Sequence, residues 1–140
     1  MKIKELNTKK LMVGDWVFHP SIIPSSNKPL QILEILVDRV RLIDGVNRGS
    51  AFLENLEYIR PIPLTPDVFE KNGFEEKILE PKSRWREFYL CDGILIWEVP
   101  YDGWVIGSNS DDYDGWFRIH YVHELQHALN MFNIDIDIKL

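Results

Sequence analysis

The sequence has a single cysteine, Cys91, which excludes an internal disulfide and any metal site built from several cysteines. No apolar run approaches the roughly 20 residues that a membrane-spanning helix needs. The basic start MKIKELNTKK is not followed by the apolar segment of a secretory signal. A Gly-rich phosphate loop and a Gly-x-Ser-x-Gly elbow are missing as well. These absences predict a cytoplasmic protein without a membrane partner.

Positive charge is missing from one acidic segment in the second half of the chain. The net charge is −6, and the segment from Glu98 to Asp114 contains no lysine or arginine. Such an acidic segment repels phosphate backbones, so general nucleic-acid binding is disfavoured. The expected partner is therefore a protein.

Residues 1–63 contain short β-rich runs separated by turn signals. A Gly-Asp turn precedes the run WVF, and the pair Asp44-Gly45 follows the run RVRLI as a favoured hairpin turn. Five short strands in about sixty residues, with a Gly-Asp-x-Val start, predict an SH3-like β-barrel.

Residues 64–140 predict a helix, a β-meander, a second helix and a C-terminal strand. The first helix is marked by Thr65 as N-cap and by Gly73 as its left-handed end. Two Asp-Gly pairs flanked by β-forming residues predict the meander. The strict alternation of IDIDIKL predicts the last strand, with its isoleucines on one face.

The two parts together predict an α+β fold, in which the SH3-like barrel of residues 1–63 packs against the small α+β half of residues 64–140. The connecting sequence RPIPLTP is too short and too stiff for a free linker. We therefore expect one compact unit.

The stretch YVHELQHALN contains His-Glu-x-x-His, the zinc-peptidase spacing. On a helix, His123 and His127 are close enough to bind one metal ion, and Glu124 becomes the candidate general base. A catalytic zinc needs a third protein ligand, and the thirteen residues after His127 contain no His, Glu or Cys. His120 is a conceivable third ligand, in an arrangement unlike that of these peptidases.

An amphipathic helix without any metal predicts the same pattern. The histidines and Glu124 then lie on the solvent side, opposite an apolar stripe. That stripe consists of Val122, Leu125, Leu129 and Phe132.

The sequence contains three blocks that span most of the chain: LMVGDWV, PIPLTPDVFEKNGFE and YVHELQHALNMF. In sequence and in order they resemble a family of small uncharacterised proteins from gut bacteria and their phages. In the family pattern Glu124 and His127 correspond to Gln and Asn. The shared residues of the third block are Tyr121, His123, Leu125 and Gln126. The resemblance implies that the fold does not need the zinc motif, and it implies no activity. After Phe132 the sequence departs from the pattern.

Aromatic residues are concentrated in the second half, where they form either the core of a small sheet or a binding surface. These residues are Trp85, Trp97, Tyr101, Trp104, Tyr113, Trp116 and Phe117. The candidate binding surface consists of Trp104, Trp116, Tyr121, His123 and Gln126.

The sequence thus favours a non-enzymatic binding or accessory protein of phage or mobile-element type, with no cofactor. The alternative is a zinc-dependent metallopeptidase that uses His123 and His127 as ligands and Glu124 as base.

Overall fold

The computed structural model describes residues 3–5, 11–19, 29–44, 51–77, 86–90, 93–108 and 116–140. These residues form mostly β-structure with two α-helices, which agrees with the α+β class. The chain divides into two compact units. The N-terminal unit comprises residues 8–63 and 121–123, and the C-terminal unit comprises residues 1–7, 64–120 and 124–140.

The N-terminal unit contains a five-stranded antiparallel sheet. Its strands are β2 (Trp16–Phe18), β3 (Pro29–Ile35), β4 (Arg39–Asp44), β5 (Phe52–Asn55) and β6 (Arg60–Pro61). The strand order is β5-β4-β3-β2-β6, so the last strand returns to pair with the first. A short 3₁₀ helix, Leu56–Tyr58, connects β5 to β6.

The core of this unit follows from the alternation of apolar residues along β3 and β4. Leu30 and Ile32 on β3 are buried, as are Val40 and Leu42 on β4, because successive side chains of a strand point to opposite faces. The register of the β3–β4 pair shifts between Ile32 and Glu34, and the β3 side chains beyond this irregularity are exposed. On β3, the buried face therefore ends where the alternation is interrupted.

The C-terminal unit contains a six-stranded sheet with the order β1-β11-β10-β9-β8-β7. The strands are β1 (Ile3–Glu5), β7 (Glu75–Glu76), β8 (Glu87–Leu90), β9 (Ile94–Glu98), β10 (Trp104–Ser108) and β11 (Trp116–Ile119). Strands β8, β9 and β10 pair consecutively in antiparallel fashion, so the predicted meander is confirmed. Strand β1 pairs with β11 in parallel.

Helix α1 (Pro66–Lys71) lies where its end signals predict it. Thr65 is the N-cap by backbone conformation, although its side chain makes no capping hydrogen bond. Gly73 has a φ of +87°, the left-handed value that the predicted helix end requires. The buried side of the helix carries Val68 and Phe69.

Phe69 organises an aromatic cluster within the C-terminal unit. Its ring centroid lies 4.8 Å from that of Trp104 and 5.1 Å from that of Phe88. Both distances lie in the range in which aromatic pairs attract each other. The cluster therefore joins α1 to the central strands β8 and β10.

The predicted C-terminal strand over residues 134–140 is wrong. These residues form no strand among the described parts of the chain, although their burial alternates as predicted, with Ile138 buried. At Lys139 the backbone is bound by a side chain: the Asn72 amide donates to the Lys139 carbonyl oxygen and accepts from the Lys139 N–H. Alternating apolar and polar residues indicate an extended segment with one buried side. They do not show that a neighbouring strand pairs with it.

The boundaries of the two units differ in part from the predicted division at residue 63. Strand β1 belongs to the C-terminal unit because it pairs with β11, and residues 121–123 belong to the N-terminal unit. That the two halves pack as one compact unit stays a prediction. Within the described ranges, no helix has the length and apolar character required to cross a membrane.

Candidate binding site

Helix α2 (Val122–Met131) carries the His-Glu-x-x-His sequence and is buried more fully than an amphipathic pattern predicts. Val122, Leu125 and Leu129 are buried as expected. His123 and Glu124 are buried too, with 0% and 1% of their surfaces exposed, so the expectation that both face solvent is wrong. The first turn of this helix is enclosed on its polar side as well as on its apolar side.

Glu124 has a structural contact that explains its burial. One carboxylate oxygen, Oε1, accepts a hydrogen bond of 2.9 Å from the backbone N–H of His120. Glu124 is the third residue of α2, where a carboxylate both satisfies a backbone donor outside the helix and interacts favourably with the helix N-terminus. The glutamate of the motif therefore acts as a helix-capping group in this fold.

The polar cluster beside Glu124 belongs to the C-terminal unit. The Nε2 atom of His120 lies 3.2 Å from Oδ1 of Asp102, and Arg118 forms an ion pair with the other carboxylate oxygen of Asp102. The hydrogen bond with His120, assisted by the charge of Arg118, lowers the pKa of Asp102 below its ordinary value. This cluster connects the β9–β10 turn to the segment that precedes α2.

The zinc hypothesis requires His123 to bind a metal that water and substrate can reach. A catalytic zinc keeps one coordination position open, but His123 has no exposed surface, and its ring is stacked on that of Tyr121 with the centroids 5.9 Å apart. His127 is half-buried. Among the described residues, no group of three or more His, Cys, Asp or Glu side chains is arranged to hold a metal ion. The burial of His123 and Glu124 favours a structural explanation of the motif.

We expect Glu124→Ala to lower the free energy of unfolding by about 1–3 kcal/mol, because the partly buried N–H of His120 loses its acceptor. Glu124→Gln keeps one acceptor oxygen and should cost less. Urea unfolding followed by circular dichroism measures both changes. Asn130→Ala, an exposed change on the same helix, is the control and should stay within about 0.5 kcal/mol of wild type.

Two results would contradict this assignment. If Glu124→Ala were as stable as wild type, Glu124 would not stabilise the helix as a capping group. Zinc-dependent peptide cleavage that is present in wild type and lost in Glu124→Gln would favour the peptidase instead.

The structure brings together only some of the residues of the predicted binding surface. Trp104 and Trp116 are buried, with 6% and 8% exposure, so neither offers a surface to a partner. Tyr121 and Gln126 are half-buried, and His123 is fully buried. Of these residues, Tyr121 and His123 lie together at a cavity.

This cavity lies in the N-terminal unit and has a volume of about 460 Å³. Its walls are the half-buried side chains of Leu11, Leu56, Pro61 and Tyr121, and we name it the Leu56 cavity after its central wall residue.

Three buried residues also line the Leu56 cavity: Val17, Ile59 and His123. The His123 ring is stacked on the Tyr121 ring, so a ligand would contact mainly the half-buried apolar walls and the Tyr121 side chain.

Two charged residues border the same cavity. Glu57 and Arg60 are both exposed, and neither forms an ion pair with any residue that the structure describes. An apolar depression with charged groups at its edge has the composition of a ligand site, in which apolar area gives affinity and a few polar groups give orientation.

Most of this cavity could not be found from sequence. Leu56, Glu57 and Arg60 belong to the stretch ENLEYIRPIP, near the end of the predicted barrel. The 3₁₀ helix at Leu56–Tyr58 carries the first two of them to the cavity, and no residue pattern in that stretch marks a binding site.

Some residues of the sequence predictions lie outside the described part of the chain, including Trp85, Cys91, Tyr113 and Gly45 of the predicted Asp44-Gly45 turn.

Comparison with known proteins gives no match. No family model matches the chain, and neither a curated protein nor a solved structure matches it.

Proposed function

We propose that this chain is a non-enzymatic binding protein of phage or mobile-element type, which works in the cytoplasm and binds another protein. The Leu56 cavity carries this proposal. Its volume of about 460 Å³ lies within the range of natural ligand sites, and its walls are mainly apolar with a tyrosine at one side. A cavity of this kind suits an apolar side chain presented by a partner.

We further propose that the five strands of the N-terminal unit form an SH3-like barrel. Support comes from the strand order, in which β6 returns to pair with β2, and from the 3₁₀ helix before the last strand. Both are features of SH3-like folds. Such folds bind through loops and exposed side chains near them, an inference by fold analogy that agrees with the place of Leu56 between β5 and β6.

Electrostatics support a protein partner over a nucleic acid. The net charge of the chain is −6, and Glu57 adds a carboxylate at the cavity edge. Nucleic-acid sites instead gather lysine and arginine against phosphates. The assignment to a phage or mobile-element type rests on the resemblance of the three sequence blocks.

Site-dependent capture tests the proposal. We expect wild-type protein to retain a partner from a lysate of its native cells, and Leu56→Ser to lose that partner because a polar wall weakens apolar contact. Leu53→Ser is the matched control, since Leu53 is a more exposed leucine on β5 of the same unit. Circular dichroism checks that both variants fold.

The proposal fails if capture by the folded Leu56→Ser variant equals capture by wild type. It also fails if wild-type protein retains no protein from that lysate.

A further inference from the structure

Arg60 borders the Leu56 cavity in a fixed orientation. Its Nη1 atom donates to the backbone carbonyl oxygen of Glu57 at 2.6 Å and to that of Ile59 at 3.0 Å. Two acceptors on one nitrogen hold the guanidinium against the backbone of the segment that precedes β6. The conformational entropy that a flexible arginine loses on binding is therefore partly lost before any ligand arrives.

The remaining donors of Arg60 match one chemical group. With Nη1 used by the two carbonyls, the Nε and Nη2 N–H groups have no hydrogen-bond partner among the described residues. These two nitrogens form the planar edge of the guanidinium that binds both oxygens of a carboxylate. A lysine at this position would offer a charge without that geometry.

The apolar walls place a second requirement on the ligand. Leu11, Leu56 and Pro61 border the same cavity as Arg60, so an apolar side chain and a carboxylate must be close together in one ligand. Adjacent residues in a turn of the ligand meet that requirement, because neighbouring Cα atoms are about 3.8 Å apart and the side chains do not alternate between opposite faces as they do in a strand.

We propose that the Leu56 cavity binds a segment of a partner protein in which an acidic residue stands next to an apolar one. The apolar side chain occupies the cavity, and the carboxylate binds the Nε–Nη2 edge of Arg60. This specificity rests on the proposed binding function and adds the chemical class of the ligand.

Glu57 limits what else can occupy the site. Its carboxylate borders the cavity together with Arg60 and has no partner in the described part of the chain. A ligand with one carboxylate can bind Arg60 at a small cost in repulsion from Glu57. A polyanion brings several negative charges close to Glu57, so the repulsion is larger. Glu57 therefore favours an acidic side chain over a phosphate backbone.

Peptides with blocked ends test the proposal, because their only charge is then the side chain of interest. The probe is acetyl-Gly-Glu-Leu-Gly-amide, compared with the same peptide carrying Gln in place of Glu and with one carrying Ser in place of Leu. Binding is followed by the backbone amide resonances of Leu11, Leu56 and Tyr121 in nitrogen-15 NMR titrations. We expect the Glu-Leu peptide to bind about tenfold more tightly than either comparison peptide.

Variants of Arg60 test whether this residue causes the preference for the Glu peptide over the Gln peptide. In Arg60→Gln the preference for Glu over Gln should disappear, while Arg60→Lys should keep part of it. Glu57→Gln should strengthen binding of the Glu-Leu peptide by removing a like charge. Arg41→Gln is the matched control, because Arg41 is a half-exposed arginine of the same unit that is paired with Glu34 and lies outside the cavity lining.

The outcomes separate the two proposals. Equal binding of the Glu and Gln peptides, or a preference that survives in Arg60→Gln, overturns the acidic specificity and leaves the binding cavity in place. No shift at the three amides with any peptide removes the cavity as a binding site and the specificity with it. Shifts with a single-stranded oligonucleotide but not with the Glu-Leu peptide would assign the site to nucleic acid and overturn the proposal.

Discussion

Replacing Gly107 with alanine should destabilise the C-terminal unit by about 3 kcal/mol, at the upper end of the usual cost of overpacking. A Cβ atom built on Gly107 overlaps the six-membered ring of the Trp116 indole. It would lie much closer to the ring atoms than 3.0 Å, a contact distance below which real Cβ atoms essentially never occur. Continuing the β10–β11 register by one residue puts Trp116 opposite Gly107. The indole also packs on Trp97, with the ring centroids 4.4 Å apart. The added methyl group must therefore displace a buried indole from its contacts.

A double-mutant cycle isolates this contact. Gly107→Ala, Trp116→Leu and the double variant are unfolded in urea, and their free energies of unfolding are compared. Since a leucine leaves the space above residue 107 largely empty, alanine should cost much less in the Trp116→Leu background than in wild type. Equal costs in both backgrounds would show that the indole is not what excludes a side chain at position 107.

Local signals explain which parts of the fold could be predicted. The meander follows from Asp-Gly turns between β-forming runs, and α1 follows from Thr65 and Gly73, since a turn or helix end depends on a few neighbouring residues. The contact of Trp116 across Gly107 depends on strand register, which no local pattern gives. The sequence could not show why position 107 must be glycine.

The helix α2 illustrates a limit of amphipathic patterns. Such a pattern assumes one buried face, and Leu125 and Leu129 lie on it as predicted. His123 and Glu124 are buried on other faces, because Glu124 caps the helix and His123 lines the Leu56 cavity. A glutamate at the third helical position is a recognised capping signal. The residue pattern predicted either a catalytic base or a solvent-facing side chain at Glu124, and neither interpretation includes the capping role.

The candidate site was the least predictable feature. Tyr121 and His123 were predicted as part of a binding surface and lie at the Leu56 cavity, but residues distant in sequence complete it. Arg60 becomes informative only when the backbone carbonyls that hold it are known. A cavity is a property of tertiary packing, so neither composition nor periodicity reports it.

Trp104→Ala should lower the free energy of unfolding by about 3–5 kcal/mol, the usual cost of removing a buried aromatic side chain. Trp104 is 6% exposed, and its ring contacts those of Phe69 and Phe88. The truncation therefore removes apolar burial and aromatic pair contacts and leaves a cavity between α1 and the sheet. Urea unfolding monitored by the fluorescence of the other tryptophans measures the loss.

Tyr101→Ala is the matched control for this change. Tyr101 lies three residues earlier in the β9–β10 turn and is fully exposed, with a φ of +60° that alanine does not relieve. Its truncation should change stability by no more than about 0.5 kcal/mol. If Trp104 were instead part of a partner surface, the two variants would have similar stability and only partner binding would fall in Trp104→Ala. A large loss at Trp104 with none at Tyr101 would place this tryptophan among the residues that hold the C-terminal unit together, and leave partner recognition to the Leu56 cavity.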